Sequence, residues 1–467
     1  MGAFGMESRA WSSWTRDVLC LLLGLFFLAA GTAANAVPPT KKEFPRLGGY
    51  QIGVMPYDGQ WDSVQYQRDL AKLDLVILGG ASPNSVASEI RRRNRDATVI
   101  KYTILMHASP NSQIPQRIAQ RQKLDSEKGP NNTNAHDWWL RDSNGNRLEV
   151  WPNTYQANFL EYVRPDSRGE RYPEFKARIN DEYFFNGTEY NGMYDDSVFL
   201  SPRWHHFTSK PDFSGGQESK NGRIEAAYRR GHVAYWSATA RFNPNIYRMV
   251  NGNWYLNADS DAWRPPDFYQ QVHGGLMEKI MKESQLEDDG ATPWKTVMTR
   301  YRRYIQYFLD PKLLMFVVQG DPDNYRFFRY TFATCLMNDG FYDYVPHGKY
   351  QYGTVEWFDE FDLAGTASTS WLGKALTSPP RSEWKKGVWR RDFEGGIALV
   401  NPLGNGTQTI TVEKGFVRIS GKQDQKVNNG RPVDTLTIPE GDGIILVRAG
   451  NSVQAINRPQ SPQLVVQ

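Results

Sequence analysis

Between residues 47 and 345 the chain repeats one pattern eight times, a short apolar run followed by a longer helical or polar stretch. The runs are 47–55 (LGGYQIGVM), 73–78 (LDLVIL), 98–105 (TVIKYTIL), 191–198 (NGMYDDSV), 245–250, 275–280, 312–319 (KLLMFVVQ) and 340–345. Runs of this length, rich in β-branched and aromatic residues, are buried strands. Strands that alternate with helical segments must return in the same direction, which gives parallel pairing. Eight of them are the count and order of a (β/α)8 TIM barrel. An open doubly wound sheet is the competing layout, but no Gly-rich nucleotide turn follows the first strand.

The intervening segments fit that layout. Residues 63–72, 83–95, 171–185, 222–241 and 325–338 are patterned as helices. The clearest is 292–309, with Trp294, Val297, Met298, Tyr301, Ile305 and Phe308 on one stripe. The rhythm is interrupted once, between His107 and Asn191, by a long excursion rich in Asn, Asp, Gly and Trp. Within it residues 138–151 (WWLRDSNGNRLEVW) read as a hairpin with an Asn-Gly turn between tryptophans. Its Asp142-Ser143-Asn144-Gly145 segment lacks the downstream Glu of a calcium loop and is read as a turn.

Both ends of the chain differ from the middle. Arg9 and Arg16 precede an apolar run, 18–30, and Ala34-Asn35-Ala36 supplies small residues two apart, the pattern of a cleaved signal peptide over 1–36. The run is shorter than the roughly 20 residues that a membrane span requires. The expectation is therefore export, secreted or periplasmic, with no stable membrane insertion after cleavage. Cys20 would leave with the signal and Cys335 would remain, so no intrachain disulfide is expected. The barrel is expected over 37–380. Beyond 381 the segments become short, alternating and helix-free, which predicts a small antiparallel β-sandwich over 381–450, followed by a flexible tail over 451–467.

Composition excludes some functions. With 55 basic and 51 acidic residues the net charge is only +4, which gives no basis for nucleic-acid binding. There is no Gly-x-Ser-x-Gly elbow, His-Glu-x-x-His pair, Cys-x-x-Cys or P-loop, and His205-His206 lacks a carboxylate at metal-site spacing. No metal or cofactor is expected.

The strand ends of a barrel carry its chemistry. Here they offer carboxylates, amides and aromatics but little histidine: Tyr57 and Asp58 after strand one, His107 after strand three, Asp195 and Asp196 on strand four, Asn251 and Asn253 after strand five, Glu278 on strand six, and Gln319 and Asp321 after strand seven. Two carboxyls on different strand ends are what glycosidic cleavage needs, one to protonate the leaving oxygen and one to act as nucleophile or activate water. With a strand period of two, only one of Asp195 and Asp196 can face the mouth. The expectation is Asp195 as nucleophile or charge stabiliser, Glu278 as general acid/base, and Asp196 in support. Tyr57, Asp58, His107, Trp151, Asn251, Asp321, Trp357 and Glu360 are the candidate substrate contacts, the aromatics as platforms for sugar rings. The plainer alternatives are caps and salt bridges for the acids, and self-packing or an acidic surface turn for the hairpin and the 356–362 segment.

The strand "NGMYDDS", the hairpin "WWLRDSNGNRLEVW", the strand "GGLMEK", the late "WFDEFDLA" and "GVWRRDFEGGIALVNP" together resemble a glycoside hydrolase-type (β/α)8-barrel family with a C-terminal β-sandwich, annotated largely by inference. The resemblance runs over about residues 47–447 and implies a glycosidase acting on O-glycosyl bonds of a carbohydrate, a poly- or oligosaccharide. In clans with the nucleophile after strand four and the acid after strand six, Asp195 and Glu278 fall at matching positions. The departures are a Glu where the sixth strand would carry Asp and a second Asp on the fourth. The alternative reading is a non-catalytic glycan-binding or cell-envelope protein on a degenerate glycosidase barrel.

Overall fold

The computed structural model describes residues 43–450 apart from 55–58, 105–106, 109–115, 119–137, 153, 162, 164, 199–222, 253, 262–263, 286–291 and 349–351. The expected signal segment and C-terminal tail lie outside the described residues.

Eight parallel strands run in sequence order around one sheet: β1 (Gly48–Gln51), β2 (Leu75–Leu78), β3 (Thr98–Ile104), β4 (Gly192–Asp196), β5 (Tyr247–Val250), β6 (Gly274–Lys282), β7 (Leu313–Gln319) and β8 (Phe341–Val345). The sheet returns on itself at the β8–β1 seam. There Leu47 bridges Tyr342 in parallel and the Tyr342 N–H donates to the Arg46 carbonyl at 2.9 Å. A side chain extends the seam: Asp343 accepts the Tyr50 N–H at 2.8 Å. This is the expected barrel.

Helices α1 (Val64–Leu70), α2 (Asn84–Arg93), α3 (Tyr172–Asn180), α4 (Arg223–Phe242), α5 (Trp294–Gln306) and α6 (Tyr325–Leu336) follow strands one to four, six and seven. Strand five is followed by 3-10 turns, including Asp267–Gln271. The apolar stripe foreseen on α5 is buried throughout. Strand alternation divides the two sides of the sheet. On β4, Met193 joins the core between sheet and helices, whereas Tyr194 points into the barrel and meets the Tyr50 hydroxyl at 3.1 Å.

Glycines at the starts of β4 and β6 permit close strand approach. A Cβ on Gly192 would lie 2.3 Å from the Tyr247 carbonyl oxygen, and one on Gly274 would lie 1.9 Å from that of Leu313. Both are closer than real Cβ contacts allow, so the glycines that mark these strands in the sequence serve packing.

In the excursion after β3, His107–Ala108, Glu149–Trp151 and Thr154–Gln156 form a small antiparallel sheet. The hairpin turn is organised by Asp142, whose carboxylate accepts the N–H groups of Asn144 and Asn146 at 3.0 and 2.8 Å. Trp138 and Trp139 are buried, Trp138 against Phe175, so these rings pack internally.

The tail is one five-stranded antiparallel sheet, β9 (Trp389–Asp392), β10 (Gly396–Asn401), β11 (Gln408–Arg418), β12 (Pro432–Ile438) and β13 (Asp442–Arg448), in the order β9-β10-β13-β11-β12. Both of its faces are apolar. Ile397, Leu399, Ile444 and Leu446 enter the tail's own core, while Ala398, Val400, Ile445 and Val447 join the core shared with the barrel. Polar contacts reinforce that junction. Arg329 on α6 bonds Asp442 at 3.1 and 3.2 Å and Asp424 at 2.6 Å, and Arg391 on β9 donates to the Leu336 and Asn338 carbonyls at the end of α6.

Candidate active site at the strand-four and strand-six ends

Asp195 and Asp196 sit on opposite faces of β4, and the expected assignment of those faces is reversed. The same alternation that turns Tyr194 inward turns Asp196 inward and Asp195 out toward the helices. Asp195 is fully buried behind the sheet, where its carboxylate accepts the Thr103 hydroxyl and, at 2.8 Å, the hydroxyl of Tyr235 on α4. Burial pushes this carboxyl up to about 6, against the opposing charge of buried Lys176 and the two hydroxyl donors.

Asp196, half-buried at the barrel mouth, accepts the Tyr102 hydroxyl at 2.9 Å, the Ser197 N–H at 2.7 Å and Asn251 Nδ2 at 3.0 Å. The same Nδ2 donates to Glu278 Oε2 at 2.9 Å, and Glu278 Oε1 accepts the Tyr352 hydroxyl. One amide nitrogen thus bridges the two acids. Their bridged oxygens can be no more than 5.9 Å apart, the limit reached only if the 3.0 and 2.9 Å bonds lay end to end. With the two N–H directions about 120° apart, the separation is about 5 Å, in the range of glycosidases that retain anomeric configuration.

Burial first, and then the Glu278 charge, push the Asp196 carboxyl above its ordinary value; the Tyr102, Ser197 and Asn251 donors oppose them. Burial and the neighbouring acids hold the Tyr102 and Tyr352 phenols far above their ordinary pKa, so both remain donors.

Backbone strain marks both positions. Ser197, directly after Asp196, has φ 57°, and Lys279, directly after Glu278, has φ 50°. Non-glycine residues rarely occupy this region, and they concentrate where a side chain must be aimed. On β6 the cause is visible in the register. Met277 pairs with Phe316 and Met281 with Val318, so three residues, Glu278 to Ile280, stand opposite Val317 alone. This bulge re-aims the strand end at the acid.

The other candidates distribute unevenly. Asn251 is central, as the bridge. Asp321 is exposed on the rim after β7, where its carboxylate accepts the Asp323 N–H at 3.0 Å. The backbones of His107 and Trp151 pair in the small sheet, but their side chains, like the whole of Tyr57, Asp58 and Asn253, lie outside the described residues. Glu360 and Trp357 belong to the junction with the tail and not to the mouth. Glu360 is buried and accepts Asn428 Nδ2 at 2.8 Å, and half-buried Trp357 donates to Asp362 at 3.0 Å while its carbonyl accepts Gln423 Nε2 at 3.0 Å.

Sequence reading missed Tyr102 and Tyr352. Tyr102 was accessible, because the alternation of β3 places it two residues beyond barrel-facing Ile100. Tyr352 lies in a loop after β8 and carries no signal of its own. Among the described residues no group of three or more His, Cys, Asp or Glu side chains could hold a metal ion, and no helix is long and apolar enough to cross a membrane.

Comparison with known proteins comes to the same fold. A family model described as "Hypothetical glycosyl hydrolase family 15" matches residues 91–397. Among solved structures, Amy13B of Eubacterium rectale aligns at TM-score 0.51 and 10% identity over 89% of this chain and 99% of its own. An Anoxybacillus α-amylase aligns at TM-score 0.45 and 9% identity over 87% and 98%. The GH36 α-galactosidase AgaA of Geobacillus stearothermophilus aligns at TM-score 0.43 and 11% identity over 87% and 56%. No curated protein sequence matches the chain.

Proposed function

The chain belongs to hypothetical glycosyl hydrolase family 15, and from that premise we propose that it is an exported enzyme cleaving O-glycosidic bonds of a poly- or oligosaccharide with Asp196 and Glu278 as its catalytic pair. The observation that carries this reading is the Asn251 bridge, which holds two carboxylates from different strands at a separation suited to double displacement.

Three donors converge on Asp196 and partly offset the burial and the Glu278 charge that raise its carboxyl. In this reading Asp196 is the nucleophile, attacking the anomeric carbon while Glu278 protonates the departing oxygen. Glu278, now a base, then takes a proton from the water that cleaves the glycosyl–Asp196 ester. Asn251, Tyr102 and Tyr352 position the acids, and Asp195 holds the strand from behind. Export rests on the signal pattern over 1–36 and predicts a mature N-terminus at Val37, read by sequencing the processed protein.

The test uses the full chain on a panel of aryl glycosides and polysaccharides, following product configuration by NMR. Retention is expected. Glu278→Ala should be rescued by azide on substrates with good leaving groups, giving a glycosyl azide of retained configuration, whereas Asp196→Gly with azide should give the inverted azide. Exchanged outcomes would swap the two roles. Binding of a glycan by the wild type with no cleavage of any would favour the non-catalytic reading.

A further inference from the structure

The bulge that aims Glu278 also places two lysines beside it. Lys279 takes the left-handed conformation, and its Nζ lies 5.1 Å from the centre of the Tyr352 ring, the ring whose hydroxyl bonds Glu278. Lys282 pairs in register with Gln319. Parallel partners share a face, and Gln319 is two residues on from barrel-facing Val317, so Lys282 is directed to the mouth as well. The two ammonium groups are close enough to affect one another. Burial and the Lys282 charge lower Lys279, and the Glu278 charge opposes them.

Lys282 is half-buried and has no hydrogen-bond or ion-pair partner among the described residues. The adjacent acid does not neutralise it. Glu283 is occupied by the Asp321 N–H and Asn324 Nδ2 and lies 3.6 Å from His347. Strain in the strand, a like-charged pair and a cation partly removed from water all carry a cost unless an anion meets them.

We propose that Lys279 and Lys282 form a subsite for an anionic substituent, a carboxylate or a sulfate, on a sugar ring next to the scissile bond, so that the substrate is an acidic glycan. This rests on the reading of Glu278 as the acid/base. The site would recognise charge at the ring bound against Tyr352, with Lys282 as the principal contact and Lys279 as the second.

The test separates charge from sugar identity. Full-length Glu278→Gln is titrated calorimetrically with uronic-acid oligosaccharides of several sugars, with their methyl esters, which keep the rings and remove the charge, and with sulfated oligosaccharides. At least one acid series should bind about tenfold or more tighter than its uncharged counterpart at low salt, and the advantage should shrink as salt rises. The acid and sulfate arms identify which anion is read. Lys282→Ala and Lys279→Ala should each reduce the charged-to-uncharged ratio several-fold, and Lys282→Arg should keep most of it. Absence of preference for any charged series overturns the proposal, as does a preference that both alanine variants retain. Failure of the underlying reading looks different: Glu278→Gln would still hydrolyse glycans at the wild-type rate, whatever the binding ratios.

Discussion

Asp196 and Glu278 at the barrel mouth, and Asp359 and Glu360 at the junction with the tail sheet, are two groups of acids in similar sequence surroundings that the fold uses differently. Each group sits among aromatics at or after the C-terminal end of a barrel strand. At the junction the acids are closed off. The Asp359 carboxylate accepts the backbone N–H groups of Lys422 and Gln423, at 2.6 and 2.8 Å, and Glu360 accepts Asn428, so the barrel holds a tail loop through them. At the mouth the acids stay half-buried, take donors mostly from side chains on or beyond the ends of other strands, and share one amide. The source of the partners separates the two uses. Donors from one tail loop make a clamp, whereas side chains converging from several strand ends around half-open carboxylates leave room for a substrate.

The sharpest way to break this comparison is to neutralise each group in turn. Asp196→Asn and Glu278→Gln should each lower kcat/KM by about 10²–10⁴-fold or more with little change in thermal midpoint. Glu360→Gln should leave turnover near wild type. Comparable loss of turnover from both groups would mean that the junction belongs to the active site.

The next largest effect is expected behind the sheet. Asp195→Ala would leave the Tyr235 and Thr103 hydroxyls without their shared acceptor and the buried Lys176 without a nearby opposing charge. Each buried hydroxyl left unmatched in this way costs about 1–3 kcal/mol, measurable by denaturant unfolding. The neighbouring Asp196→Asn should cost far less, because Asn keeps the shape and half of the acceptors at a wetter position. Equal destabilisation would mean that both residues are structural.

These residues also show how far the sequence could be read. The eight runs and the amphipathic α5 were legible because burial imposes a period on the chain, and period survives without knowledge of partners. The pairing of strand four with strand six as the acid-bearing strands was legible for the same reason. The choice between Asp195 and Asp196 was not, since a period of two says that they diverge but not which faces inward. That was decided by Tyr194 meeting Tyr50 inside and by Thr103 and Tyr235 waiting outside, all contacts distant in sequence. Glu360 was misplaced because an acidic, aromatic segment after strand eight looks the same whether the tail loop that fills it is present or not.

The smallest expected effect separates the clamp from the site by pH. Burial raises the Glu360 carboxyl from 4.5 to about 7, against the Asn428 bond and the Arg329 charge. Between these values the folded protein holds a proton there that the unfolded chain has released. Stability contributed by this group is therefore full below about pH 4.5 and falls as the pH rises toward 7, with a slope of at most about 1.4 kcal/mol per pH unit. Glu360→Gln keeps an acceptor for Asn428 and removes the titration. Asp343, at the barrel seam, is likewise raised to about 7 by burial, but it titrates in both proteins and cancels from the difference. Subtracting the unfolding free energies of wild type and variant across pH 4 to 8 should give a curve that is flat at the acid end and increasingly favours the glutamine variant toward neutrality. Curves that stay parallel throughout would mean that Glu360 is ionised in the folded state and that its partners make a charge-stabilising site, which would bring the junction closer in kind to the mouth.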